Sequence, residues 1–92
     1  MFTQEIWIQF GQVKIVNGVN LTGYGIKKIV VNTCENDSAH FTIQSEQSKV
    51  PNSNGLQIIK LKLKKNPKTR VLKIELLEGY EDFFTFRNVG AL

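Results

Sequence analysis

The chain has few of the residue types from which catalytic and metal sites are usually built. Its 92 residues include one cysteine, Cys34, and one histidine, His40. A lone cysteine cannot form a disulfide within the chain, so stability must come from a hydrophobic core. A zinc site would need carboxylates or a second chain to complete its ligands. We therefore expect no disulfide framework, no metal and no cofactor.

Alanine, the strongest helix former, and long hydrophobic runs are scarce as well. Ala39 and Ala91 are the only alanines, whereas β-branched and aromatic residues are abundant. Such a composition favours strands over helices. The chain has no apolar run of about 18 residues, and its first residues lack the basic start and apolar stretch of a signal peptide. We expect a cytoplasmic protein that does not cross a membrane.

The charges are unevenly distributed along the chain. The segment between Glu46 and Glu75 contains eight cations and no acid, whereas the rest contains four cations and eight acids. The formal net charge of +4 is therefore the sum of +8 on one segment and −4 on the remainder. A segment of this kind attracts anionic partners.

The basic segment also has the alternation of a β-hairpin. Over residues 56–78, apolar and charged residues alternate on both sides of a turn at residues 66–69, where Pro67 suits a type I turn. We predict a register in which apolar residues meet on one face, because a slip of one residue would reverse every side chain. The predicted pairs are Leu63 with Leu72, Leu61 with Ile74, and Ile59 with Leu76.

Other segments predict further strands at residues 5–10, 26–32, 39–44 and 83–88. The glycine-rich residues 20–25, NLTGYG, predict a loop or a short irregular strand, and residues 45–55 predict a polar connection. After Gly11 the apolar parity changes. Either a tight hairpin turn pairs Phe10 with Val13, or a bulge at Gly11 keeps one long bent strand; we favour the hairpin.

These segments together predict one antiparallel all-β domain over residues 1–92. Its architecture is a small β-sandwich or a partly open β-barrel of about six to eight strands. The predicted core consists of Ile6, Ile8, Phe10, Ile15, Ile29, Val31, Phe41, Ile43, Ile59, Leu61, Leu63, Leu72, Ile74, Leu76, Phe84 and Phe86.

No catalytic constellation emerges from the residues that carry chemistry. Cys34 and His40 are close in sequence and could form an activated nucleophile, but alternation directs His40 to solvent and no third group orients it. The Gly23-Tyr24-Gly25 motif lacks the helix and spacing of a phosphate-binding loop. We therefore expect a protein that is not an enzyme and has no small-molecule substrate.

The first functional hypothesis is a non-catalytic protein-interaction or assembly module. Apolar residues occur on both faces of several predicted strands, and those that a second sheet leaves uncovered would contact a protein partner or a second copy. The candidate contact residues are Trp7, Val16, Tyr24, Tyr80 and Phe83.

The second hypothesis is binding of nucleic acid, or another anionic surface, by the predicted 60–73 hairpin. Lysines on a strand also protect an exposed edge from aggregation, which is the competing structural interpretation. Sheets that bind nucleic acid add stacked aromatic side chains to their cations, and this hairpin contains none. The candidate residues are Lys60, Lys62, Lys64, Lys65, Lys68, Arg70 and Lys73.

One run has a partial resemblance to a known class of protein. Residues 16–31, VNGVNLTGYGIKKIVV, precede a polar turn, a half-buried strand and a PNSNG loop. This order resembles the opening β-domain of phage tail and baseplate hub proteins. The resemblance implies a phage-type structural module and assigns no role to any individual residue, since it rests on turn residues and strand order.

Overall fold

A computed structural model describes residues 3–35, 41–51, 55–63, 67–80 and 85–91, with only the backbone described for residues 85–88. All secondary structure in these ranges is β-strand. The strands are β1 (Gln4–Ile15), β2 (Gly18–Tyr24), β3 (Ile26–Cys34), β4 (Thr42–Gln47), β5 (Gln57–Lys62), β6 (Lys68–Gly79) and β7 (Thr85–Ala91). Within the described ranges, no helix is long and apolar enough to cross a membrane.

The strands form two antiparallel sheets. Sheet A has four strands in the order β1-β6-β3-β4, and sheet B has three in the order β5-β2-β7. The two sheets pack face to face, since one hydrophobic cluster contains side chains from both. The predicted antiparallel all-β fold is confirmed, and its architecture is an open sandwich rather than a closed barrel.

Cross-strand registers in sheet A place apolar residues in rows that face the core. Ile74 lies between Ile6 on β1 and Val31 on β3, and Leu76 pairs with Ile29. Buried residues of sheet B complete the core from the other side. They include Val19, Leu21, Ile59 and Leu61.

The predicted hairpin between residues 57–65 and 70–78 is wrong. β5 pairs with β2 in sheet B, whereas β6 pairs with β1 and β3 in sheet A. The chain between them crosses from one sheet to the other beside a second crossing, between β1 and β2. Two hydrogen bonds join these crossings, from Leu63 N to Asn17 O at 3.0 Å and from Val16 N to Pro67 O at 3.1 Å. Pro67 therefore lies in a corner of the sandwich.

The predicted tight turn at Gly11 is wrong, and the alternative of one long strand is correct. β1 continues through Gly11, with its register to β6 interrupted between Gln9 and Lys14. Five steps along β1 correspond to two steps along β6, from Val71 to Thr69, so β1 contains three extra residues there. This irregularity changes the parity of the strand.

Three predicted core residues lie outside the core. Ile15 is 63% exposed beyond the irregular segment of β1, and Ile43 is 57% exposed. A register shift in β4 pairs Ile43 with Asn32, whose neighbour on β6 is the outward-facing Lys73. Phe41 precedes this shifted strand and lies only half buried. The side chains of Phe84 and Phe86 lie outside the described residues.

Of the two predictions for the glycine-rich residues 20–25, the loop is wrong and the short irregular strand is correct, since β2 has a register shift to β7 between Thr22 and Gly23. Residues 18–24 are β2, the central strand of sheet B, and their buried side chains Val19 and Leu21 are 1% exposed. Asn20 lies between them and Thr22 follows them, and both are only partly buried, so burial alternates along the strand from Val19 to Gly23. Of the predicted polar connection, residues 45–47 belong to β4 and Val50 is 2% exposed in the core.

A buried glutamine fastens the crossing between β2 and β3. Gly25 makes this crossing with φ at 69°, and Ile26 follows it with no exposed surface. The Gln57 side chain accepts a hydrogen bond from Ile26 N at 2.8 Å, and its amide donates to Ile26 O at 2.8 Å and Pro51 O at 3.2 Å. The Gln57 side chain, on β5 of sheet B, thereby bonds to three backbone groups: two of Ile26 on β3 of sheet A, and one of Pro51.

Candidate binding surfaces

The lysine edge is the outer border of sheet B formed by Ile58, Lys60 and Lys62 of β5. β5 alternates strictly between buried and exposed residues, because its other side chains enter the core. Ile58 is 68% exposed although it is a large apolar residue. Among the described residues, β5 pairs only with β2, so its second side is unpaired.

The backbone polar groups of the lysine edge point away from the sheet. The Leu63 N–H donates to Asn17 O, which continues the β2–β5 ladder. Residues of an antiparallel pair alternate between those that bond to the partner strand and those that face away. Leu61, Ile59 and Gln57 therefore bond to β2, whereas the N–H and C=O groups of the lysine edge face its unpaired side.

Recesses border this edge along its length. One of about 430 Å³ is lined by Val50, Pro51, Leu56 and Ile58, together with Gln47 at the end of β4. A second, of about 420 Å³, lies between the other end of β5 and the start of β2. Lys60 borders both recesses. The edge thus combines apolar depressions with exposed ammonium groups.

The acidic residues lie on the other sheet. Of the acids that the structure describes, Glu5, Glu46, Glu75 and Glu78 are on strands of sheet A, and Glu35 directly follows β3. Lys60 and Lys62 form no ion pair with a described residue. The described part of sheet B is therefore cationic and contains no neutralising acid.

The tryptophan face is the outer surface of sheet A around Trp7, Phe41, Ile43 and Lys73. Trp7 is 55% exposed, and its ring meets the Phe41 ring edge to face at 5.2 Å between centroids. The Lys73 ammonium lies 5.4 Å from the Trp7 centroid and 4.5 Å from that of Phe41. These are cation–π distances.

The polar groups of the tryptophan face are paired with one another. Glu75 lies 4.0 Å from the Lys73 ammonium and accepts a hydrogen bond from Asn32 at 2.6 Å. The Trp7 indole N–H donates to Glu5 at 2.9 Å. The face therefore presents a large apolar area whose described polar groups hydrogen-bond or pair with one another.

The structure separates the predicted basic residues. Lys60 and Lys62 lie on the lysine edge, whereas Lys68, Arg70 and Lys73 belong to β6 of sheet A. Lys68 is exposed and Arg70 is partly buried. Lys64 and Lys65 lie outside the described residues. The predicted single basic surface is therefore wrong, and so is the predicted proximity of Lys62 and Lys73.

The predicted apolar contact patch is also divided. Trp7 is on the tryptophan face, whereas Val16 is 2% exposed in the core, so its prediction as a contact residue is wrong. Tyr80 follows β6 seven residues beyond Lys73, a span of about 23 Å along a strand. Tyr24 ends β2 of sheet B. Phe83 lies outside the described residues.

Tyr80 has a structural contact of its own. It is 40% exposed, yet its hydroxyl donates to Val50 O and its N–H donates to Gly25 O at 2.9 Å. The Lys27 ammonium lies 5.8 Å from its ring centroid. Tyr80 thus ties the end of sheet A to the β2–β3 crossing.

The predicted Cys34–His40 pair cannot be compared with the structure as a pair. Cys34 is a buried cysteine at the end of β3, and His40 lies outside the described residues. In the described ranges, no three residues among His, Cys, Asp and Glu are grouped so as to hold a metal ion.

Ile58 is the most exposed apolar residue among the described side chains of sheet B, and sequence reasoning placed it outside the core without including it among the candidate contact residues. Ile58 stands beside the predicted inward residue Ile59, and its parity alone would have placed it on the lysine face. The alternation of β5 therefore indicated that Ile58 is exposed. A single exposed isoleucine indicates a binding site only when an unpaired sheet edge lies beside it, and the sequence does not show that edge.

These features define a small antiparallel β-sandwich with one basic, unpaired sheet edge. No protein-family model matches the chain, and no curated protein sequence matches it.

Proposed function

We propose that this chain is a non-catalytic interaction module that binds a partner protein through the lysine edge and the adjoining outer face of sheet B. The observation that carries the proposal is Ile58, which is 68% exposed beside two lysines on a face where no described residue is acidic. An apolar centre with a charged border is the composition of a protein interface.

The tryptophan face supports binding less well, although it is also apolar. Its ammonium group, carboxylates and indole N–H satisfy one another, so a partner would gain little from pairing with them. On the lysine edge, by contrast, the backbone groups and both ammonium groups lack a described partner. A protein that supplied complementary groups would therefore gain hydrogen bonds and charge pairs as well as apolar burial.

The test compares two exposed isoleucines on opposite faces. Wild-type protein, Ile58→Asp and Ile43→Asp are immobilised at equal density and exposed to native lysate, after circular dichroism has shown that both variants fold. We expect a partner that wild type and Ile43→Asp retain and Ile58→Asp loses. Equal retention by all three proteins, or retention of nothing, would overturn the proposal.

Nucleic-acid binding is the second candidate. It is favoured by the exposed lysines of sheet B, because no described residue of that sheet is acidic. Two described lysines on one edge would neutralise about two phosphates, which predicts a slope near −1.4 for a single strand in a plot of log K against log salt. A steeper slope would require further cations. The resemblance of residues 16–31 to phage structural domains agrees with an assembly role and stays a prediction.

A further inference from the structure

We infer that the lysine edge accepts an extended acidic segment of a partner protein as an additional strand of sheet B. The inference rests on the proposed function and specifies its binding mode. Three features converge on β5: a row of backbone groups with no partner strand among the described residues, two lysines two residues apart, and recesses beside them that apolar residues partly line. Addition of a strand uses the backbone for affinity and alternate side chains for selectivity.

The geometry of β5 sets the pattern of the incoming segment. The backbone groups of Ile58, Lys60 and Lys62 face the unpaired side, and their side chains share the outer face. Residues directly opposite each other in a ladder share a face, so the partner residues across from the lysines also point outward. Acidic residues at positions i and i+2 would then meet Lys60 and Lys62, while an apolar residue would lie beside Ile58.

The charges exclude a second copy of β5 as the preferred occupant. Antiparallel pairing of two identical edges would bring lysines of one copy beside lysines of the other, and like charges at such positions destabilise a sheet. The same lysines attract an acidic strand. The edge therefore rejects self-pairing, as natural edge strands do, while remaining open to a partner of opposite charge.

The recess beside Ile58 adds an apolar contact to this pattern. Val50 is almost fully buried beneath it, whereas Leu56 is 43% exposed at its border. Val50 and Pro51 are held in place by hydrogen bonds from Val50 N to Lys27 O at 2.9 Å and from Gln57 to Pro51 O at 3.2 Å. The wall of the recess is thus ordered before any partner arrives.

A designed octapeptide with glutamate at positions 2 and 4 and valine elsewhere provides the test, since its position 6 then offers the apolar residue beside Ile58. The charge-reversed control has lysine in place of both glutamates. Binding is followed by amide chemical shifts and hydrogen exchange of the full chain. We expect the acidic peptide to shift and protect the amides of Ile58, Lys60 and Lys62. Lys60→Glu/Lys62→Glu should weaken its binding about tenfold and favour the lysine peptide instead.

Two controls separate strand addition from charge attraction. Lys14→Glu/Lys68→Glu makes the same charge change on sheet A and should alter the affinity less than about twofold. N-methylation of the acidic peptide at one set of alternate residues should abolish binding, while methylation of the other set should spare it. Equal effects of the two sets, or shifts centred away from β5, would overturn the inference.

Other outcomes distinguish this inference from the proposed function. If the acidic peptide fails to bind but Ile58→Asp still abolishes partner capture, the partner sits on the face of sheet B and strand addition is wrong. If the peptide docks but Ile58→Asp leaves capture unchanged, the proposed function is wrong. An eight-residue oligothymidylate that binds the edge more tightly than the peptide would overturn the inference in favour of nucleic acid.

Discussion

Replacement of Gln57 by leucine tests whether one buried amide holds the two sheets in register. Leucine has a similar volume but cannot hydrogen-bond to Ile26 or Pro51. The change leaves one N–H and two carbonyl groups without their side-chain partner, in a place where Gln57 itself is 3% exposed.

The expected loss follows from the three groups that are left unpaired. Each buried polar group without a partner costs about 1–3 kcal/mol, and the added apolar side chain offsets part of that sum. We expect Gln57→Leu to reduce the free energy of unfolding by about 2–4 kcal/mol. For a domain of this size the melting temperature would fall by roughly 10–25 °C.

Urea denaturation followed by far-UV circular dichroism measures this loss. Gln9→Leu makes the same chemical change at an exposed position of β1 and should alter stability by less than about 0.5 kcal/mol. A loss below about 0.5 kcal/mol in Gln57→Leu, or equal losses in the two variants, would refute the role of this amide.

A glutamate at the same position adds a pH-dependent test. Gln57→Glu keeps an acceptor for Ile26 N–H but places a carboxylate oxygen against two carbonyl groups, and burial raises the pKa of a carboxyl. Its protonated form can donate one hydrogen bond where the amide donates two, so the variant should be closest to wild type at low pH but should not equal it. Its deficit should grow as pH rises above about 4, through the folded-state pKa. A deficit that does not change with pH would contradict this geometry.

Further predictions concern the crossing, the parity of β5 and the tryptophan face. Gly25→Ala should destabilise by about 1–2 kcal/mol, because φ at 69° disfavours a β-carbon, and Gly25→Asn should lose less; equal losses would contradict this reason. Leu61→Ala should reduce the free energy of unfolding by about 2–5 kcal/mol, whereas Ile58→Ala on the same strand should reduce it by under about 1 kcal/mol. Thermal unfolding measures both losses, and a larger loss in Ile58→Ala would show that the strand faces the other way. Lys73→Met should cost about 0.5–2 kcal/mol through the lost cation–π contacts, while Lys62→Met should be neutral in the same urea titration. If the two methionine variants are equally stable, the ring contacts contribute nothing measurable.

The sequence predicted which residues of β5 and β6 face the core but not which strands lie beside them. Leu61 and Ile74 are both buried, as their alternation indicates. A hairpin and a corner of a sandwich give the same alternation, because in both cases the apolar side of each strand faces the core. In a hairpin those residues are neighbours within one sheet; in a corner they face each other across the core. Turn chemistry at Pro67 is compatible with either arrangement.

Register irregularities explain the core residues that sequence reasoning misplaced. The extra residues in β1 and the shift in β4 reverse the parity of Ile15 and Ile43, and period-two reasoning assumes that no such reversal occurs. Gly11 marked one of these places but could not distinguish a bulge from a turn. No glycine or proline within β4 marked the other.

The tryptophan face could not be predicted from the sequence because it joins three distant segments. Trp7, Phe41 and Lys73 come from β1, the residue before β4, and β6, and the pairing of β6 with both β1 and β3 brings them together. The lysine edge was easier to anticipate, since all of its side chains come from one alternating strand. That the edge is unpaired, however, follows from the strand order of sheet B, which the sequence does not give.

Lys60 and Lys62 face a different surface from Lys73 only because β5 and β6 belong to different sheets. Nuclear Overhauser effects between α-protons measure this directly. In an antiparallel ladder, the two residues of a pair that is not hydrogen-bonded have Cα atoms only about 4.5 Å apart, so their α-protons are close. We predict such contacts between Lys60 and Asn20 and between Lys62 and Gly18, with none between β5 and β6. An α-proton contact between Leu61 and Ile74, or between Lys62 and Lys73, would show that the two strands form a hairpin and would contradict the separation of the two surfaces.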